Sequence, residues 1–209
     1  MYQNYLKRLL DLLIGLIALP FFLIIYVVFG FLIKLEDKGP ILYKAERIGK
    51  NCKSFKMYKF RSMKVNAPIL LNKDGSTYNN QNDPRVTRVG KFMRETSIDE
   101  IPQIINVIKG EMSIVGPRAS LISALDTFEE DEIGKMDVRP GITGYTQAYY
   151  RNGLSNREKR LKDSWYANNE NILLDIKILF KTFITVFKKE GLYTDSKLIK
   201  QEENKVKQL

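Results

Sequence analysis

The sequence predicts an α+β fold, with an apolar N-terminal membrane helix leading into a compact, mostly helical domain that carries a small β-hairpin. Three observations carry this prediction. Residues 12–33 contain no charged side chain for 22 positions, enough for a helix to cross a bilayer. Two strand-like runs, 41–49 and 53–63, flank a turn at Gly49–Asn51. Residues 171–189 repeat apolar side chains at helical spacing.

Composition narrows the chemistry. The 209 residues suffice for one domain plus an anchor, and none is histidine. That removes the usual general base, Ser-His triads and histidine zinc sites. One cysteine, Cys52, forms no internal disulfide, fits a reducing compartment and reads as an incidental surface thiol. Net charge is +10, and nine basic residues against one acid give Lys38–Lys64 a net charge of +8. Its place directly after the apolar run favours an anionic membrane, where each basic residue contributes about 1 kcal/mol. No nucleic-acid motif is present, so no nucleic-acid partner is expected.

The apolar run is too long for a secretory signal and lacks a small-residue cleavage pattern. Pro20 lies inside it and offers no N–H to the carbonyl of Leu16. Each arm then spans roughly 15–20 Å, half a bilayer or slightly more. Lys7 and Arg8 precede the run, and Lys34 and Lys38 follow it. Positive charge at both ends suits a helical hairpin that enters and leaves one leaflet. A proline-kinked spanning helix fits as well, and physics alone leaves both open. Asp11 lies one turn from Lys7 and Arg8 and is expected to pair with one of them.

Gly39-Pro40 turns the chain into the hairpin, and residues 66–82 read as a polar loop. A helix is expected from Ser97 to Lys109, stopped by Gly110, and another over 121–132. "VRPGITGY", 138–145, reads as a structured loop. In 171–189, Ile172, Ile176, Leu179, Phe180, Phe183 and Phe187 share one face, with Lys177, Lys181 and Lys188 off it. Core packing is the first reading of that stripe, and contact with a membrane surface the second. The last dozen residues are polar, and no P-loop or G-x-G-x-x-G pattern occurs.

The chemistry concentrates at "ETSIDEIPQIINVIKGEMSIVGPR", 95–118, where Asp99 and Glu100 stand side by side. Ser97 and Glu100 match a capping box, and first-turn acids suit a helix dipole. Around them stand Arg94, Arg118, Arg139, Lys59 and Arg61. A carboxylate attacking phosphorus unites such a set. At 4 Å the repulsion between carboxylate and phosphate is about 4 kcal/mol per charge pair at an effective dielectric of 20. Arginine forks and a divalent metal offset it.

The chain resembles the bacterial sugar transferases, the small monotopic phosphoglycosyl transferases that act on polyprenol phosphate. The resemblance is densest in "KRLLDLLIGLIALP" (7–20), "YKFRSM" (58–63), "DPRVTRVGKFMRETSIDEIPQIINVIKGEMSIVGPR" (83–118) and "VRPGITGYTQAYYRNG" (138–153). It implies an N-terminal re-entrant membrane helix broken at Pro20, over residues 1–36, with Lys7 and Arg8 part of the anchor. A catalytic domain over 37–194 with amphipathic interfacial helices follows, then a polar tail over 195–209. The anchor would rest in the cytoplasmic leaflet of a bacterial inner membrane.

The resemblance further implies Asp99 as nucleophile toward the β-phosphate of a UDP-sugar and Glu100 as its partner, handling protons or organising Mg²⁺. Mg²⁺ is the implied cofactor, with Asp99 a ligand. Arg94, Arg118, Arg139, Lys59 and Arg151 become contacts to phosphate and nucleotide. The partners are a UDP-sugar donor, polyprenol phosphate (undecaprenyl phosphate foremost) and membrane lipid, with a homodimer left open. Three positions depart from the usual family pattern: Leu19 before the proline, Ala119 after "GPR", and Tyr145 where tryptophan is common. A membrane glycosyltransferase releasing UDP and a non-catalytic membrane adaptor are the competing functions.

Overall fold

The structure is a computed structural model that describes residues 2–188 except 69, 71–77, 79, 81 and 152. The polar C-terminal tail and most of the 66–82 loop therefore lie outside the described residues.

After a wide helical turn over Tyr2–Leu6, helix α1 runs from Lys7 to Glu36 without interruption at Pro20. Its 30 residues reach about 45 Å at 1.5 Å each. The helix lies along the rest of the protein for its whole length. Gly15 admits Ile108, whose side chain would come within 3.0 Å of an added Cβ. Phe22, Tyr26 and Phe29 pack their rings against Phe60. Phe29 also stacks on Phe92, and Gly30 admits Ile41. The opposite face is bare and apolar, with Ile17, Phe21, Ile24, Val27 and Phe31 exposed.

Both ends of α1 make polar contacts with the same domain. Lys7 donates to Tyr166 Oη at 2.8 Å, pairs with Glu170 at 3.3 Å and bonds to Asp175. Arg8 donates to the carbonyls of Val107 at 2.5 Å and Ile108 at 2.8 Å. Asp11 accepts from Ser113 Oγ at 3.0 Å and Ile114 N at 2.9 Å, not from Lys7 or Arg8 as the one-turn spacing suggested. At the far end, Glu36 accepts the backbone N–H groups of Arg88 at 2.6 Å and Val89 at 2.9 Å. Arg61, buried, donates to the Asp37 carbonyl at 2.6 Å, which turns it toward the end of α1.

Strands β1 (Leu42–Ile48) and β2 (Ser54–Phe60) form the expected antiparallel hairpin, with Leu42 opposite Phe60 and Ile48 opposite Ser54. The turn holds Asn51 and Cys52 at left-handed φ of 55° and 58°, and Cys52 is exposed. Helix α2 (Arg88–Glu95) is capped by Thr87, whose side chain accepts from Gly90 N at 3.0 Å.

The expected helix from Ser97 to Lys109 is two pieces, a 3-10 segment over Ile98–Gln103 and α3 over Ile104–Lys109. Gly110, at φ 83°, ends α3 as its left-handed cap. A second ladder, invisible in the sequence, pairs β3 (Ser113–Val115) in parallel with β4 (Gly141–Thr143). The backbones nearly touch there, since a Cβ on Gly141 would lie 2.1 Å from Gly116 N. The helix expected over 121–132 is a 3-10 segment, Ile122–Thr127, and one turn of α4 (Glu130–Ile133).

Helices α5 (Tyr145–Tyr149), α6 (Asn156–Asn169) and α7 (Ile172–Phe187) complete the described chain. α7 overturns the core reading of its apolar stripe. Ile172, Ile176, Leu179, Phe180 and Phe183 are exposed, and Phe180 keeps 69% of its surface. The buried side carries Asp175, Ile178 and Thr185 instead. Thr185 donates to the Ala148 carbonyl at 3.0 Å, and Thr182 meets Thr143 at 2.7 Å.

Two cores result. The larger joins α1, the hairpin, α2 and α3 through Phe22, Phe60, Met93, Ile104 and Val107. The smaller joins Val115, Ala148, Tyr166 and Ile178.

Candidate active site

The acid pair sits where the larger core reaches the surface. The break that creates its perch is Ser97, a non-glycine residue at φ 59° and ψ 16°. Such left-handed geometry is strained and often marks a working site. The Ser97 side chain makes no capping bond, so the capping box does not form. Glu100 turns instead to Lys59 on β2, whose Nζ donates to Oε1 at 2.5 Å. Arg118 approaches the same oxygen at 4.0 Å.

Lys59 is aimed by its neighbours. Phe60 beside it is locked in the aromatic stack on α1. On the other side, Asn106 accepts from Tyr58 N at 3.0 Å and donates to the Lys56 carbonyl at 2.8 Å. Asn106 is completely buried, and it welds α3 to the open edge of β2. Sequence reasoning missed it, although an asparagine inside the apolar run "IINVI" is itself a signal.

Asp99 is half-buried and makes no hydrogen bond or ion pair among the described residues. Burial pushes its pKa up to about 6, with the Glu100 charge adding to the rise against Lys59, Arg94 and Arg118. Glu100 behaves oppositely. Burial raises it as well, but Lys59 and Arg118, with help from Arg151, outweigh burial and hold it at about 2. The doublet is thus split into one carboxylate held ionised by lysine and one, without hydrogen bond or ion pair among the described residues, whose pKa burial raises.

Arg94 is steadied by Ser62, whose Oγ accepts from Nε at 3.0 Å, and Arg151 sits at a left-handed φ of 45°. Arg118 owes its place to the parallel ladder, where Pro117 O accepts from Gly141 N at 2.9 Å. Lys135, also missed in the sequence, clamps it from below. It donates to the Arg118 carbonyl at 3.0 Å and pairs with buried Asp163 at 3.0 Å.

Arg139 is not brought to the pair. Its Nε is buried without a hydrogen-bond partner, and its charge bears on Asp11 beneath α1. Lys7 and Arg8 turn inward to the domain, as described above, and do not face outward toward lipid. Pro20 is exposed on the bare side of α1.

Lys59, Arg94, Arg118 and Arg151 bear on the two carboxylates, so that cations outnumber acids among these groups. That excess suits an anionic ligand beside an unengaged carboxylate. Residues 2–189 match the profile of the bacterial sugar transferase family. The chain belongs to that family. This bacterial sugar transferase is 38% identical over 195 residues to the exopolysaccharide production protein PSS of Rhizobium leguminosarum bv. phaseoli, covering 86% of this chain and 94% of the relative.

It is 37% identical over 206 residues to the undecaprenyl-phosphate galactose phosphotransferase of Salmonella typhimurium, covering 91% of this chain and 42% of the relative. Identity is 38% over 188 residues to the UDP-N-acetylgalactosamine-undecaprenyl-phosphate N-acetylgalactosaminephosphotransferase of Aeromonas hydrophila, with 87% and 44% covered. The bacterial sugar transferase thus spans less than half the length of these last two relatives. Its family is one of phosphoglycosyl transferases, enzymes that move a phosphosugar.

Proposed function

We propose that the protein transfers a sugar-1-phosphate from a UDP-sugar to a polyprenol phosphate, undecaprenyl phosphate foremost, with Asp99 as the covalent carrier. The observation that carries this reading is the Asp99 carboxylate, without hydrogen bond or ion pair among the described residues, set among Lys59, Arg94 and Arg118. An oxygen of Asp99 attacks the β-phosphorus, and the bond from that phosphorus to the bridging oxygen breaks. UMP leaves with the bridging oxygen and its electron pair, and the phosphosugar stays on Asp99 as an acyl phosphate. A phosphate oxygen of the lipid then attacks the same phosphorus, the bond to Asp99 breaks, and the carboxylate is restored.

Glu100 does not carry a proton through these steps at neutral pH, because Lys59 and Arg118 keep it ionised. Its role is to hold Lys59 and Arg118 over the phosphates while Asp99 attacks. Arg94 and Arg151 complete the cationic wall that lowers the repulsion between two anions.

Mg²⁺ fits this site in a limited way. Among the described residues no group of three or more metal-ligating side chains occurs, and Glu100 is already taken by Lys59. Asp99 would be the protein's ligand, with substrate phosphates and water supplying the other oxygens. Bound there, Mg²⁺ would neutralise charge on the diphosphate.

The reading of α1 as an unbroken element held in one leaflet, facing the cytoplasm of a bacterial inner membrane, and not as a hairpin broken at Pro20, rests on its two ends. Each is held by polar contacts to one domain, and the exposed face between is apolar. A helix that crossed the bilayer would carry one of those ends away. α7 adds a second exposed apolar stripe, and Trp165 and Tyr149 on the neighbouring helices α6 and α5 are exposed as well, aromatic residues of the kind that favour a membrane interface.

The test offers a panel of UDP-sugars and undecaprenyl phosphate with Mg²⁺ to the purified chain. UMP is the expected by-product, and intact-mass spectrometry with donor alone is expected to show a phosphosugar on Asp99 that Asp99→Asn abolishes. Release of UDP, or turnover by Asp99→Asn, overturns the proposal.

A further inference from the structure

Arg47 is the one arginine of the basic hairpin that the chemistry so far leaves idle. The strand register puts it on the working face. Tyr43 pairs with Lys59, Ala45 with Met57 and Arg47 with Phe55, so side chains of these residues leave the same side of the ladder. The face that delivers Lys59 to Glu100 therefore also presents Arg47, about 13 Å farther along at 3.3 Å per residue. The end of β1 is then tied to the segment after Arg118, because Ile48 N donates to the Ser120 carbonyl at 3.0 Å.

Arg47 has no anionic partner there. Its Nη1 donates only to the carbonyl of its neighbour Glu46, at 2.9 Å, and it forms no ion pair among the described residues. It is half-buried. Burial, and after it the charge of Arg118, lowers its pKa below the ordinary value, though a guanidinium stays protonated. Arg118 keeps 60% of its side chain exposed, with its acid, Glu100, out at 4.0 Å. The charge of Arg118 thus reaches Arg47, and neither guanidinium has a carboxylate within hydrogen-bond distance among the described residues. Such a pair is unfavourable by itself and becomes favourable around an anion with several acceptor oxygens.

We propose that Arg47 and Arg118 form a seat for a second phosphate group, separate from the phosphate that Asp99 attacks. The assignment rests on the reading of Asp99 as the phosphosugar carrier. Its ligand is a singly esterified phosphate, supplied either by the nucleotide side of the donor, which departs as UMP, or by the head of the lipid acceptor. Arg118, reaching Glu100 on one side and Arg47 on the other, links the two seats.

The experiment uses the full chain and measures binding without turnover. UMP, a short-chain prenyl phosphate and uridine are titrated into the parent, Arg47→Gln, Arg47→Lys and Asp99→Asn. Arg47→Gln is expected to weaken one phosphate ligand at least tenfold and to leave uridine unchanged. Loss of UMP identifies the nucleotide side, and loss of prenyl phosphate identifies the acceptor. Arg47→Lys, which keeps the charge without the fork, is expected to fall between parent and Gln. Removing an unpaired charge is expected to hold or raise the Tm of Arg47→Gln, so lost binding is not lost folding.

In turnover, the KM of the matching substrate rises more than kcat falls. Binding of both phosphates within twofold of the parent overturns the seat, whatever Asp99 does. Turnover by Asp99→Asn sinks the carrier reading instead, while its UMP titration still reports on Arg47.

Discussion

The carboxylate of Asp11, in the second turn of α1, accepts the hydroxyl of Ser113 at 3.0 Å, 102 residues away in sequence. The long apolar helix is thereby fastened to the strand that leads into Arg118. The contact separates a docked helix from one free in lipid. Asp11→Leu lengthens the apolar run and would favour a free membrane helix. In the docked arrangement it strands the Ser113 hydroxyl and the Ile114 N–H in a buried place, at a cost of about 2 kcal/mol. The expected result is a chain that still sediments with membrane but whose domain melts several degrees lower. An unchanged Tm would refute the docking.

Lys59 and Glu100 form a coupled unit, and the pair predicts a non-additive mutant cycle. Lys59→Met leaves Glu100 with no hydrogen bond in a place only 24% accessible. Its pKa is then released upward by burial, and stability falls by about 2 kcal/mol, less than for a fully enclosed pair. Lys59→Met with Glu100→Gln recovers most of that stability, since no buried charge is left unmatched. It recovers none of the adduct formation, because the phosphate seat is gone. Chemical denaturation and intact-mass spectrometry read the two effects separately. Equal activity in the double variant and the parent would exclude the seat.

The split carboxylates give a pH signature of definite sign. Asp99 has its pKa raised by burial from 3.8 to about 6 and attacks only when ionised. Formation of the phosphosugar adduct from donor alone is therefore expected to fall about tenfold per pH unit below about 6, and to be flat above. Donor alone is the right readout, because the lipid phosphate ionises in the same range. In stability the raised group works the other way. Its neutral form is favoured in the fold, so the benefit is full below 3.8 and is lost as pH rises through about 6. Asp99→Asn is expected to gain Tm over the parent progressively between those values. Glu100, held at about 2, stabilises above its ordinary 4.5 and loses that contribution as pH falls toward 2. An adduct rate that is flat down to pH 4 would remove the basis for a perturbed nucleophile.

The legible parts of the molecule were those set by local pattern. The hairpin followed from alternation around a turn, and α7 from a 3.6-residue period. What the pattern cannot state is what a face meets. The stripe of α7 looked like core, yet its buried side is the polar-looking one, because Asp175 and Thr185 find partners in Lys7, Tyr166 and the Ala148 carbonyl. Lys7 and Arg8 looked like lipid contacts because their partners lie 99 or more residues away.

The Asp99–Glu100 doublet drew notice as chemistry. Its detachment from a capping role depended on one strained backbone angle at Ser97, which no propensity foretells. Arg139 shared the arginine pattern and not the place, since the β3–β4 ladder that sorts Arg118 from Arg139 has three residues per strand and no periodic signature.

α7 carries the last prediction. Phe180 and Phe183 are 69% and 63% exposed, on a helix whose other side is fixed to α5 and β4 through Thr185 and Thr182. An exposed apolar stripe of that kind is costly in water and favourable in an interface, at about 2 kcal/mol for each buried Phe side chain. Phe180→Glu with Phe183→Glu removes that gain and adds two negative charges facing an anionic leaflet. Partition to vesicles containing phosphatidylglycerol is expected to fall at least tenfold, with α1 still providing residual attachment. Adduct formation from the soluble donor depends on neither residue and is expected to persist, while turnover with undecaprenyl phosphate in the same vesicles drops. Phe180→Leu with Phe183→Leu keeps the apolar surface and is expected to match the parent. If the glutamate pair binds vesicles as the parent does, α7 faces something other than the membrane, and the plane assigned to the active site must be redrawn from α1 alone.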